Sequence, residues 1–197
     1  MNFLNTYRCL DKQRYASEKY SIVPLQKEDI FSIRIWRNDQ MEYLRQSKPI
    51  TEKDQIDYYE NVIRKTFNEI KPDQILFSFL LNEKCIGYGG LVHIDWNSRN
   101  AEISFLTETN RAKNDIQYSE DFYNFLKLIF IIAFEEIQFN RLETENYEVD
   151  SLSIKILENL DFKLHQRLRN HVLINGKYFD SLIHICFRKD YKLKPKI

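Results

Sequence analysis

Residues Ile75 to Leu106 read ILFSFLL, NEK, CIGYGGLVHI, DWNSRN, AEISFL: three β-rich apolar runs separated by two short polar turns. The runs are too short for helices and are rich in Ile, Val, Phe and Tyr. Strands are therefore predicted at Ile75–Leu81, Cys85–Ile94 and Ala101–Leu106, joined as an antiparallel meander. Downstream the apolar period changes from two to 3.6. Phe122, Phe125, Leu126, Ile129, Ile132, Ala133 and Ile137 mark one face of a long helix from about Ser119 to Gln138. A strand follows at Arg141–Tyr147, Asp150 is placed to cap a helix through Asn159, and Phe162–Ile174 with Tyr178–Arg188 form a hairpin around Asn175-Gly176.

Upstream, Tyr20–Leu25 alternates as a strand closed by Pro24, and Ile30, Ile33 and Trp36 place a helix over Lys27–Asn38. Thr51 with Asp54 three residues later forms a capping-box pattern opening a helix to about Phe67, with Ile56, Tyr59, Val62, Ile63 and Phe67 inward. The order β, α, α, β, β, β, α, β, α, β, β has no linker or repeat. It predicts one α/β domain over residues 20–190, with residues 1–19 as an extension and 191–197 as a tail.

The chain has 197 residues and 24.0 kDa, 43% hydrophobic and 29% charged, with four glycines and four prolines, so a disordered or collagen-like chain is excluded. Lys plus Arg (29) balance Asp plus Glu (29), which gives no electrostatic reason to expect nucleic acid or an anionic membrane as partner. The alternating Arg167-Leu-Arg169-Asn-His171 is read as a solvated face. Cys9, Cys85 and Cys186 are odd in number and lack metal or redox spacing, so a reducing, cytoplasmic setting is expected and no metal. The most apolar run, Leu128–Phe134, is far below the roughly 20 residues of a membrane span, and the N-terminus lacks a signal-peptide pattern. No nucleotide P-loop, nucleophile elbow or H-E-x-x-H is present, and Gly87-Tyr88-Gly89-Gly90 lacks the third glycine and the following helix of a dinucleotide fingerprint.

Five segments in order resemble the GNAT N-acetyltransferase superfamily: Glu83 to Leu91 with its glycines, Ala101 to Phe105, the long helix ending Ala133-Phe134-Glu135-Glu136, Arg141 to Glu145, and Ser153 to Phe162, which is similar to the family's N-x-x-S-x-x-x-L-E-x-x-G-F. The resemblance implies acetyl-CoA in a cleft where the fourth and fifth strands splay, with phosphates at the start of the long helix, where unpaired N–H groups and positive potential concentrate. On that pattern Ile103, Phe105, Leu106, Arg111, Lys113, Asn114, Gln117, Tyr118, Ser119 and Ser153 are expected at the cofactor. The chain departs from the family's R/Q-x-x-G-x-G/A loop, since Asn110 to Ser119 contains no glycine. It also has Leu157 where many relatives have Tyr, as in the branch resembling ribosomal-protein-alanine acetyltransferases.

Glu102 is the expected general base, with His93 as the alternative, and Tyr147 is the candidate proton donor to the leaving thiolate. Asp150 is read as a helix cap, because a carboxylate beside an anion is unfavourable. Trp36-Arg37-Asn38 resembles the W-R-N segment of GNAT enzymes acting on nucleotide-linked amino sugars, which implies Trp36, Arg37 and Arg45 at an acceptor amine used in surface-polysaccharide synthesis. Two alternatives stand beside that acceptor: a protein N-terminus or lysine, and a non-catalytic GNAT-fold binding module. The long terminal strands also suggest a homodimer.

Overall fold

The computed structural model describes residues 5–44 and 46–191. Its eight strands form a single sheet in the order β1-β2-β3-β4-β5-β6-β8-β7. In chain order the elements are β1 (Tyr15–Ser17), β2 (Tyr20–Pro24), α1 (Ile30–Asp39), α2 (Glu52–Tyr58), α3 (Arg64–Thr66), β3 (Ile75–Leu81), β4 (Lys84–Asp95), β5 (Asn100–Thr107), α4 (Thr109–Ala112), α5 (Asp115–Phe130), β6 (Arg141–Tyr147), α6 (Ser151–Asn159), β7 (Lys163–Ile174) and β8 (Lys177–Phe187). All strand pairs are antiparallel except β5 with β6. The predicted meander is β3, β4 and β5, and the terminal hairpin turns at Asn175 and Gly176, both at positive φ as a tight two-residue hairpin turn requires.

Helices cover both faces of the sheet. Tyr88 on β4 reaches Arg37 of α1, whereas a Cβ on the next residue, Gly89, would lie 2.8 Å from Phe125 of α5. Adjacent strand residues point to opposite faces, so α1 and α5 lie on opposite sides. On the α5 side Phe105 meets Phe122 and Phe125 at ring separations of 5.0 and 4.7 Å, and Phe79 stacks on Tyr20.

Three expectations are corrected. The stretch read as an extension contributes β1 and the buried side chains of Tyr7, Leu10 and Tyr15. The Tyr7 hydroxyl donates to the Leu76 carbonyl at 2.9 Å and accepts from the Leu76 N–H at 2.8 Å, satisfying backbone at the start of β3. The helix after Thr51 has its capping box, but a π-helical turn at Tyr59–Ile63 widens the spacing. Gln55, Tyr59, Ile63 and Phe67 point inward, and Ile56 and Val62 are exposed. Finally, the long helix begins at Asp115, not Ser119, because Asn114 caps it by accepting the Gln117 N–H at 3.0 Å. It closes in a second π-helical turn, Ile131–Glu136.

Candidate active site

β5 and β6 pair at three positions, Asn100 with Arg141, Ala101 with Leu142 and Glu102 with Glu143, and then separate. β5 continues along β4 to Thr107 while β6 continues along β8 to Tyr147. Past Glu102 each strand thus loses its partner on one side, and a cleft of about 1590 Å³ opens between them. Pairing and alternation sort its walls. Ile103 and Phe105 share the α5 side with Thr144 and Asn146, and Glu102, Ser104 and Leu106 share the α1 side with Glu145 and Tyr147.

Glu102 sits at the apex of the split, with its side chain 19% exposed, and His93 Nδ1 lies 2.8 Å from its Oε2. The contact follows from backbone geometry: the β4–β5 register shifts between Val92 and Asp95, and His93 in that bulge takes φ 49°, an uncommon value for a side-chain-bearing residue. The two residues considered as alternative bases are thus one pair that lines the cleft, with Glu102 the more enclosed and His93 the more exposed. Tyr147 lines the cleft on the same side.

Of the residues expected at the cofactor, Ile103, Phe105, Leu106, Lys113 and Tyr118 line the cleft. Arg111 is turned elsewhere: its Nε and Nη2 hold the carboxylate of fully buried Asp121 at 2.6 and 2.7 Å. The Asn114 side chain is taken up in the helix cap, accepting the Gln117 backbone N–H, and Ser119 Oγ donates to the Asp115 carbonyl at 2.6 Å. Ser153 is fully buried behind the wall, where its Oγ shares a 2.7 Å hydrogen bond with the Tyr118 hydroxyl and ties α5 to α6. Burial, with the Asp150 carboxylate adding to it, pushes the Tyr118 hydroxyl pKa up, so it stays protonated. Asp150 caps α6 by accepting from the Ser153 N–H at 3.1 Å, as read from sequence. Leu157 is wholly buried, a core residue.

Of the residues expected at the acceptor, Arg37 lines the cleft but is bonded to the Tyr88 hydroxyl and to Gln46. Asn38 accepts from the Ile50 N–H at 2.8 Å and donates to the Ile50 carbonyl at 2.9 Å, so the W-R-N segment fastens the α1–α2 connection. Trp36 lines a separate, smaller recess beside α4, and Arg45 lies outside the described residues. Asp39, Glu42, Asp54 and Asp73 also line the cleft.

Thr144 and Asn146 were missed by sequence reading. Both line the cleft, and Thr144 Oγ1 and Asn146 Oδ1 are buried without a hydrogen-bond partner. Their signal was in the strand itself, since a sheet-interior strand covered on both faces ordinarily reads as a continuous apolar run and Arg141-Leu-Glu-Thr-Glu-Asn-Tyr147 does not. Facing the apolar wall of Ile103, Phe105 and Leu152, these polar atoms fit a ligand arm that alternates methylene and amide groups, the chemistry of the thiol arm of acetyl-CoA. Lys113 also lines the cleft. Among the described residues no cluster of His, Cys, Asp and Glu could hold a metal ion, and no helix is long and apolar enough to cross a membrane.

A mixed sheet that splits between two parallel strands, with a carboxylate at the apex and an amide-compatible wall beyond, defines a class of acyl-transferring α/β domains. The family model for the acetyltransferase (GNAT) domain matches residues 22–183, and the chain belongs to that family of N-acetyltransferases. Among solved structures, spermidine N-acetyltransferase from Vibrio cholerae in complex with CoA and spermine is 15% identical, with a TM-score of 0.75 over 89% of this chain and 99% of that one. A GCN5-related N-acetyltransferase from Brucella melitensis is also 15% identical, with a TM-score of 0.65 over 94% and 83% of the two chains. No curated protein sequence matches significantly.

Proposed function

We propose that the chain transfers the acetyl group of acetyl-CoA to a primary amine that carries further positive charge, of the polyamine type. The observation that carries this reading is the charge of the acceptor side: carboxylates from α1 (Asp39), the turn after it (Glu42), α2 (Asp54), the run before β3 (Asp73) and β5 (Glu102) line the cleft. These carboxylates outnumber the cations that line the cleft among the described residues, Arg37 and Lys113. Such a wall attracts ammonium groups and repels a diphosphate, so the nucleotide-linked amino sugar implied by Trp36-Arg37-Asn38 gains no support. Spermine, named with the Vibrio cholerae protein of the same fold, belongs to the favoured chemical class. The three free cysteines suit a cytoplasmic setting, where thiols stay reduced.

When bound, acetyl-CoA supplies an acyl thioester, already activated toward an amine. The chain's residues provide the rest. Glu102 accepts the ammonium proton, which makes the nitrogen nucleophilic, and His93 at 2.8 Å orients that carboxylate and offers the proton a route to solvent. The unpartnered N–H groups of β5 beyond Glu102 face the cleft, where developing oxyanion charge is stabilised. Tyr147 is the proposed donor to the departing thiolate.

The reading is tested by titrating the protein with acetyl-CoA and then following thiol release with a linear triamine, a simple monoamine, a lysine peptide and a nucleotide-linked amino sugar. A kcat/KM at least about tenfold higher for the triamine than for the nucleotide sugar is expected. Preference for the nucleotide sugar overturns the acceptor assignment, preference for the peptide moves it to protein amines, and absence of acetyl-CoA binding overturns the reaction and favours a binding module.

A further inference from the structure

We infer that Asn175, at the tip of the terminal hairpin, is a positioning residue that sets the Glu42 carboxylate to receive a second ammonium group of the acceptor, an inference that rests on the polyamine reading above. Asn175 Nδ2 donates to Glu42 Oε2 at 3.0 Å, across 133 residues of chain. Glu42 lines the cleft, in the turn Met41–Tyr43 that follows α1. That turn is tied to one wall, because Gln40 Nε2 donates to the Thr107 carbonyl at the end of β5 at 2.9 Å. Asn175 belongs to the other wall, because it joins β7 to β8 and β8 pairs with β6. The walls that part beyond Glu102 are thus joined again through these two side chains.

The hairpin is bent on its way to Glu42. The β7–β8 register shifts between Leu168 and Val172, where Asn170 takes φ 50°, and such a bulge bends and twists its strand. Asp180 holds the bend, accepting from the Asn170 N–H and from Arg167 Nη1, each at 2.9 Å. At the tip Ile174 is 9% exposed, whereas Leu173 and its partner Tyr178 are 59% and 60% exposed, so one face of the tip is covered and the other is open. Positive φ at 175 and 176 accounts for an Asn-Gly turn and leaves the contact with Glu42 as a separate property of the asparagine amide. A carboxylate on an exposed turn samples several rotamers, and fixing it on an ammonium group carries an entropic penalty. Held by Asn175, Glu42 has met part of that penalty before the acceptor arrives. The Tyr43 hydroxyl bonds to the same carboxylate, which pushes its pKa up. Glu42 and Glu102 stand on different elements of the cleft, so an acceptor with two ammonium groups engages both carboxylates and a monoamine engages one.

The test uses the whole chain and Asn175→Gly, which keeps a residue suited to positive φ and removes the amide. kcat and KM are measured with a linear triamine and with a monoamine, in the unsubstituted background and in Glu42→Ala. Asn175→Gly should raise the triamine KM about three- to tenfold, as for one hydrogen bond to a charged group, with kcat and the monoamine KM unmoved. Glu42→Ala should itself raise the triamine KM, and adding Asn175→Gly to it should change nothing further, since the amide acts through that carboxylate. An unmoved triamine KM, an equal rise with the monoamine, or an undiminished rise in the Glu42→Ala background would each overturn the inference. Should the unsubstituted protein use the triamine no better than the monoamine, the polyamine reading falls and this assignment with it; should it prefer the triamine and Asn175→Gly keep that preference in full, only this assignment falls.

Discussion

Arg111 and Asp121 form a two-pronged ion pair, Nε to Oδ2 at 2.6 Å and Nη2 to Oδ1 at 2.7 Å, beneath the turn that joins β5 to α5. Tyr20 on β2 donates to the same carboxylate at 3.0 Å, and Thr107 at the end of β5 lies 3.4 Å from it. Four elements therefore meet at one buried charge, which fixes a turn that has no glycine. Because Asp121 is wholly buried, removing Arg111 strands its carboxylate, and removing Asp121 leaves a guanidinium only 15% exposed without its partner. Asp121→Ala is expected to cost about 3–5 kcal/mol in urea unfolding. The double substitution of Arg111 and Asp121 by Leu is expected to cost less than the two single ones summed; strict additivity would show the pair to be uncoupled.

Glu102→Gln keeps the shape of the side chain at the split and removes its basicity. Turnover should fall by about 100-fold or more while the dissociation constant for acetyl-CoA stays within about twofold, since the carboxylate lies on the sheet face opposite Ile103 and Phe105, the proposed amine side. His93→Gln should lower turnover less, because the histidine contacts the Glu102 carboxylate and is proposed to act through it. Equal losses for both variants would make the histidine the base, and intact turnover in Glu102→Gln would remove the carboxylate from the mechanism.

Local periodicity made most of the fold legible. The run Ile75 to Leu106 has the meander, the change of period after Thr107 has α5, and Asn175-Gly176 has its hairpin. The features that escaped depend on contacts distant in sequence or on helix winding. The inward face around Ile56 and Val62 shifted because the π-helical turn at Tyr59–Ile63 changes the period that an α-helical reading assumes. Arg111 was read as a phosphate ligand because its charge is visible in sequence, whereas its engagement by Asp121, under a carboxylate shared with Tyr20, is a tertiary fact. At the site, Glu102 and His93 were each legible in the sequence as candidate bases. Their pairing was not, because it follows from a bulge between Val92 and Asp95.

Gly89 shows why the Gly87 to Gly90 run is glycine-rich. A Cβ there would sit 2.1 Å from the Ser104 carbonyl oxygen and 2.8 Å from Phe125 Cζ, so the meander and α5 close on that position. Gly89→Ala should destabilise the fold by about 1–3 kcal/mol through displaced backbone and ring packing. A thermal midpoint equal to that of the unsubstituted protein would mean that β5 and α5 move apart at no cost.

His184 adds a pH dependence of stability. Burial holds its imidazole below the ordinary histidine value, with the nearby Glu158 charge opposing that effect more weakly. In the interval between the depressed folded pKa and the ordinary one near 6.5, the unfolded chain binds the proton more readily than the folded chain. This contribution is thus fully present above the ordinary value. It is lost progressively as pH falls through it, until the folded pKa is passed. Between about pH 7.5 and about pH 5.5 the free energy of unfolding should decline more steeply for the unsubstituted protein than for His184→Gln, which cannot titrate there. Parallel curves for the two proteins would assign the acid sensitivity to other groups.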